Sequence, residues 1–280
     1  MKILLVGKDG QVGRELANTL AAAGHVTATS RSDLDLVETD RVAQKVRDEK
    51  PDVVVNAAAY TAVDRAETER DLAYKVNAEA PGAMAAEAAR LGALLVHFST
   101  DYVFDGTKRD PYVEEDATNP LNAYGQSKLA GERAIVSSGC RHLILRTSWV
   151  YGPHGRNFML TILRASRERP ELRVVDDQFG APTSSLAIAR ATATLLQRGA
   201  AGLYHLSAAG KTTWFGFARE ILAKAGTPTP VVPITTDQYP APARRPRNSV
   251  LDNSRLRAAY GVALPGWQEQ LDEVLAAYER

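Results

Sequence analysis

The chain has a single cysteine among its 280 residues, Cys140, so it cannot close a disulfide on itself. Coming after Ser137-Ser138-Gly139, where a helix is expected to end and a strand to begin, Cys140 reads as a packed thiol rather than a nucleophile. Histidine is sparse as well. His25, His97, His142, His154 and His205 show neither HExxH nor Cys/His ligand spacing, so no metal is expected. Long apolar runs are missing: Ile3 to Val6 and Leu94 to Val96 fall far short of the ~20 residues of a membrane helix. Neither sign of charge prevails, since 34 Lys and Arg face 33 Asp and Glu for a net +1, which leaves no field to recruit nucleic acid. No apolar leader with a small-residue cleavage site follows Met1-Lys2, so a cytoplasmic protein is expected, without membrane or nucleic-acid partners.

What is present is a rhythm. Short apolar runs at Lys2 to Val6, Val26 to Ser30, Val53 to Asn56, Leu94 to Ser99 and His142 to Thr147 read as buried strands. Helical spacing fills 11–23, 40–49, 71–91 and 123–137 between them, each stretch long enough for a right-handed crossover. This β-α alternation predicts an α/β fold, a Rossmann-type doubly wound parallel sheet over residues 1–150. Residues 151–280 predict a smaller substrate-binding lobe, with some chain crossing between the two. Its helices are expected near 157–168, 185–197, 213–225 and Trp267 to Tyr278, and its strands at Arg173 to Val175 and Leu203 to Leu206. Six of the fourteen prolines crowd between Thr227 and Pro246, a density that predicts an irregular connection or lid, neither helix nor ladder.

Directly after the first strand comes Gly7-Lys8-Asp9-Gly10-Gln11-Val12-Gly13, opening a helix. Glycines there let the backbone turn tightly and approach a pyrophosphate, whose charge is favoured at a helix N-terminus. A nucleotide cofactor follows. Near the end of the second strand, where an NAD-selective fold places an acid, stand Ser30 and Arg31, able to accept a 2′-phosphate. Asp33 or Asp35 can reach adenine or ribose, so NADPH, or both NADPH and NADH, is favoured over strict NADH use. For Arg31 a solvated loop charge is the competing reading.

Tyr124-Gly125-Gln126-Ser127-Lys128 places a phenol and an ammonium on one helix face, four residues apart. A nearby cation favours the phenolate and is expected to lower the tyrosine pKa toward the working pH of a general acid. Lys128 can also hold the cofactor ribose. Thr100, in Ser99-Thr100-Asp101 at the carboxyl end of the fourth strand, can polarise a carbonyl oxygen. Together with the glycine loop the set points to hydride transfer at a carbonyl or alcohol carbon.

These motifs resemble the extended short-chain dehydrogenase/reductase family over nearly the whole chain. The likeness is carried by the glycine loop, Pro51 to Asp64, Ser99 to Gly106, Arg146 to Gly152 and Asp177 to Thr183. Within that family it is nearest to the branch that reduces C4 of dTDP-4-dehydro-L-rhamnose with NADPH or NADH, giving dTDP-L-rhamnose. The resemblance implies a dTDP-sugar substrate and the catalytic set Thr100, Tyr124 and Lys128. It also implies Asp35-Leu36 by the adenine, Ala57-Ala58-Ala59 along the cofactor, and Thr61, Val63, Asp101 and Trp149 around the sugar. Asn157 and Gln178 are implied near the nucleotide diphosphate, whose phosphates the Arg244-Arg245-Pro246-Arg247 cluster can neutralise with planar bidentate donors, a solvated charge run being the competing reading. Some members bridge a dimer through Mg²⁺ held by glutamates. Glu15 is present here, but Leu186 stands where a second glutamate is expected, so no metal is required and the chain is expected as a monomer or homodimer.

Other readings remain. A 4,6-dehydratase resembles Ser-Thr-Asp-Glu at the strand end, and Tyr102 replaces that glutamate here. An epimerase would retain its NAD through the cycle. A non-catalytic NAD(P)-binding regulatory subunit, of the kind that serves methionine adenosyltransferase, would tolerate loss of the catalytic set.

Overall fold

A computed structural model describes residues 1–278. The first half runs β1 (Lys2–Val6), α1 (Gln11–Thr19), β2 (His25–Thr29), α2 (Thr39–Glu49), β3 (Val53–Asn56), α3 (Arg70–Tyr74), α4 (Ala80–Leu91), β4 (Leu94–Thr100), α5 (Ala123–Ser137) and β5 (Arg141–Thr147). The second half runs β6 (Val150–Tyr151), α6 (Phe158–Glu168), β7 (Leu172–Val175), β8 (Phe179–Gly180), β9 (Thr183–Ser184), α7 (Ser185–Gln197), β10 (Gly202–His205), β11 (Thr212–Thr213), α8 (Trp214–Lys224), β12 (Val231–Ile234), α9 (Ser254–Tyr260) and α10 (Trp267–Tyr278).

Six strands form one parallel sheet in the order β10-β5-β4-β3-β1-β2. Alternate residues serve its two faces. Ile3, Leu5, Val53, Val55, Leu94 and Val96 pack with Leu16 of α1 and Ile188 and Leu195 of α7. Leu4, Val6, Val54 and Leu95 pack on the other side with Val42 and Val46 of α2 and Met84 of α4. Burial on both faces explains why these strands read as continuous apolar runs rather than alternating ones. Each such side chain contributes about 1.5–3 kcal/mol on leaving water. The chain beyond residue 150 returns to the sheet through α7 and β10, while Tyr151, Met159, Phe217, Trp267 and Leu271 gather in a separate core.

Strand order reverses between β1 and β3, and at such a switch point the two crossovers diverge and leave a crevice at the carboxyl ends. Among the described residues no helix is long and apolar enough to cross a membrane.

Three local expectations change. The helix expected over 71–91 carries a π-helical turn at Lys75–Glu79, between α3 and α4. The proline-dense stretch is not wholly irregular, because β12 pairs in parallel with β7 and includes Pro233 opposite Val174. Proline is tolerated there because the sheet has only two strands and β12 needs no partner on its other side. The first helix ends at Thr19 and passes into a 3₁₀ turn, Leu20–Ala22.

Candidate active site

The glycine loop lies at the switch point. Gly7 has φ +90°, and a Cβ there would sit 2.7 Å from Ala58 N; one on Gly13 would meet Gly7 O at 2.0 Å. Both side chains are excluded by backbone, so the loop and the Ala57-Ala58 segment after β3 form one closely packed floor. Gly10 caps α1, whose first N–H groups open onto this floor. Ser30 is buried, and its N–H and hydroxyl both donate to Asp33 Oδ2 at 2.8 Å. These bonds, with Lys8 3.3 Å away, hold the Asp33 carboxyl down to about 2. The Arg31 side chain stands 80% exposed beside Asp35, and Leu36 is buried.

At the carboxyl end of β4, Thr100 Oγ1 donates to Asp101 Oδ1 at 3.0 Å and accepts the Tyr102 N–H at 3.2 Å. Tyr124, in the first turn of α5, has its phenol beside the Thr100 hydroxyl and its ring edge-on to Tyr102, centroids 5.9 Å apart. Burial pushes the phenol up to about 12, opposed by Thr100 and reinforced by the Asp101 charge. The expected lowering by Lys128 is therefore not what this arrangement produces. Lys128 is 2% exposed and turned into the protein, donating to Phe98 O at 2.7 Å and lying 3.1 Å from His97 Nε2. Burial pushes its own pKa down to about 8, opposed by the Glu132 charge. Burial also raises Asp101 to about 7, with Ser249 and Thr100 opposing.

Three contacts set α5 at this depth. Gly131 lies against the π-helical turn so closely that a Cβ would meet Asn77 O at 2.0 Å. Asn77 projects from that turn, donates to Ser127 Oγ at 3.0 Å and exchanges two hydrogen bonds with the Tyr60 backbone. Glu132 accepts a bidentate pair from Arg146 on β5, at 2.9 and 2.7 Å, and a hydrogen bond from Ser99 on β4. Asn77, Glu132, Arg146, His97 and Asn56 were not singled out from sequence. Each is a polar residue inside an apolar pattern, but its partner is set only by tertiary packing.

On the facing side, Trp149 follows β5 with φ +47°, a conformation costly for a bulky residue and often retained at functional sites. Its ring stacks on Trp214 with centroids 3.5 Å apart. Thr61 is exposed and Val63 half-buried on the loop beyond Ala59. Asn157 caps α6 and bridges to the glycine loop, its Nδ2 donating to Gln11 Oε1 at 2.9 Å. Gln178 is buried and donates to Thr236 in the proline-dense segment. From that segment Arg245 reaches Asp64 at 2.8 Å, while Arg244 and Arg247 are exposed.

The family model described as RmlD substrate binding domain matches residues 1–280. A dTDP-4-dehydrorhamnose reductase of Burkholderia thailandensis is 50% identical over 285 residues, which span 96% of each chain. The chain belongs to the dTDP-4-dehydrorhamnose reductase family. Solved structures agree. A dTDP-4-dehydrorhamnose reductase of Clostridium acetobutylicum superposes with a TM-score of 0.97 at 40% identity, covering 100% of both chains. One of Bacillus anthracis, in complex with NADP, gives 0.95 at 36% identity over 99% of each.

In an open parallel sheet ligands bind beyond the carboxyl ends of the strands, where the glycine loop after β1, Ala57-Ala58 after β3, Thr100 at the end of β4 and Trp149 after β5 stand. A cavity of about 410 Å³ opens at the opposite end of the strands, lined by Lys50, Asp52, Leu91 and Arg141, with none of the matched groups. Cys140 is buried, and burial pushes its thiol up, in keeping with a packing role. Among the described residues no group of three or more His, Cys, Asp or Glu is placed to hold a metal ion.

Proposed function

We propose that this chain reduces the C4 ketone of dTDP-4-dehydro-L-rhamnose to dTDP-L-rhamnose, using NADPH or NADH. The observation that supports the reading is the Tyr124 phenol beside the Thr100 hydroxyl at the carboxyl end of β4, with Lys128 one turn further along α5 and linked through His97 and Asn56 to the switch-point floor at Ala58. A reduced nicotinamide dinucleotide, when bound, supplies the hydride. The floor fits its diphosphate because only glycine leaves the backbone bare at Gly7 and Gly13. Asp35 and Leu36 flank the adenine, and Ala57, Ala58 and Ala59 lie along the cofactor. The Arg31 guanidinium beyond Ser30 takes a 2′-phosphate, a reading supported by its 80% exposed side chain just past the end of β2.

Tyr124 enters as the protonated phenol, since its pKa of about 12 leaves little phenolate at neutral pH. It delivers that proton to the C4 oxygen as charge builds there, a contribution of about 10²–10⁴-fold. Thr100 hydrogen-bonds the same oxygen, and Lys128 as ammonium steadies the phenolate left behind and holds the ribose. Trp149, Thr61, Val63 and Asp101 border the sugar, with the indole as a flat apolar wall. Asn157, Gln178 and the arginines of 244–247 serve the nucleotide diphosphate. Residues 1–150 thus hold the cofactor and also border the sugar, while the groups that serve the nucleotide diphosphate come from the smaller substrate-binding lobe of 151–280, apart from α7 and β10, which return to the sheet.

The test is loss of NADPH absorbance with the keto sugar nucleotide, for wild type and Tyr124→Phe. Turnover should drop by about 10²–10⁴-fold in the variant. A wild type no faster than the variant would refute the reading.

A further inference from the structure

Behind Lys128 lies a line of buried groups that the reduction itself does not use. Asn56 is 1% exposed and His97 is fully buried. The Ala58 N–H donates to Asn56 Oδ1 at 3.1 Å, a bond only the amide oxygen can accept. This turns Asn56 Nδ2 toward His97 Nδ1, 3.2 Å away. An amide nitrogen donates and does not accept, so Nδ1 is the acceptor. A neutral imidazole has one proton, which then sits on Nε2, 3.1 Å from Lys128 Nζ. An ammonium there would oppose two donors, whereas an amine accepts the Nε2–H and still donates to Phe98 O.

We infer that His97, oriented by Asn56, is a positioning residue whose Nε2–H opposes the Lys128 ammonium and so sets the pH at which Lys128 takes up its proton. The inference rests on the role given to Lys128 above. The charged and titratable groups that act on the ammonium position are Glu132 on its own helix, itself paired with Arg146 of β5, and His97 of β4; Tyr124 and Asp101, further toward the carboxyl end of β4, act on each other. Burial drives His97 well below its ordinary pKa, which keeps the imidazole neutral, and Lys128 adds to the effect.

Lys128 acts as ammonium, so activity falls as pH rises through its pKa. Removing the Nε2–H raises that pKa. In kcat/KM profiles, His97→Phe should move the falling limb up by about one pH unit. Asn56→Asp should do the same, because a carboxylate draws the imidazole proton to Nδ1 and leaves Nε2 an acceptor. His97→Gln, which keeps an N–H close to the Nε2 position, should return the limb toward the wild-type pH. Nitrogen-15 NMR of the histidine-labelled wild-type chain should find His97 as the Nε2–H tautomer. An Nδ1–H tautomer overturns the inference even if His97→Phe fails to fold, and so does a limb that Asn56→Asp leaves in place. Lys128→Met separates the two readings. Undiminished turnover in that variant refutes the role of Lys128 itself, whereas lost turnover with an unmoved limb refutes only that of His97.

Discussion

Replacing Glu132 by glutamine tests how α5 is held. The Glu132 and Arg146 side chains are 4% and 5% exposed, joined by two hydrogen bonds, and Arg146 Nη1 has no partner beyond them among the described residues. Glu132→Gln leaves the guanidinium buried against an amide that turns a donor toward it. Uncompensated burial of this kind costs about 3–5 kcal/mol. Total stability is about 5–15 kcal/mol, and each kcal/mol lowers the melting temperature of a chain of this size by about 2–4 °C. Scanning calorimetry should show a drop of about 10 °C. Removing both charges in Glu132→Met/Arg146→Met should recover most of that loss, because two desolvation penalties vanish together. The double variant also loses the anion that raises the Lys128 pKa, so its falling pH limb should move down. A single variant melting within about 1 °C of wild type, or a double variant less stable than the single, would refute the reasoning.

Further outcomes follow from the same geometry. The folded-state pKa of Asp101 is about 7 against 3.8 for the free group, so the folded chain binds more protons between those values and stability through this residue falls as pH rises across them. Asp101→Asn should raise the melting temperature at pH ~8 more than at pH ~4; an equal change at both would reject the assignment. Gly131→Ala forces a methyl against Asn77 O, and with an overpacking cost of about 1–3 kcal/mol it should both lower the melting temperature and reduce turnover as Tyr124 shifts. Wild-type values for both would show that α5 yields freely. Arg31→Ala should weaken NADPH binding in direct titration while leaving NADH almost untouched, and equal losses for the two would rule out a 2′-phosphate contact.

Local pattern was enough to read five strands of the sheet, the glycine loop and the shared face of Tyr124 and Lys128. The strands could be read because burial on both faces demands unbroken apolar runs, and the glycine loop because backbone crowding at Gly7 and Gly13 forbids any Cβ. Tyr124 and Lys128 were legible because helix periodicity alone puts them on one face. The proline-dense segment misled, because proline density says nothing about an available edge, and β7 supplies one.

Tertiary structure decided the rest. The π-helical turn that aims Asn77, the positive φ of Trp149 and the return of β10 to the sheet depend on neighbours distant in sequence. The electrostatics were decided there too. Sequence spacing places an ammonium near a phenol, but burial outweighs that proximity: it raises Tyr124, lowers Lys128 and turns the lysine toward His97, 31 residues away in sequence. Desolvation depends on how the whole chain closes over a group, and no local spacing encodes it.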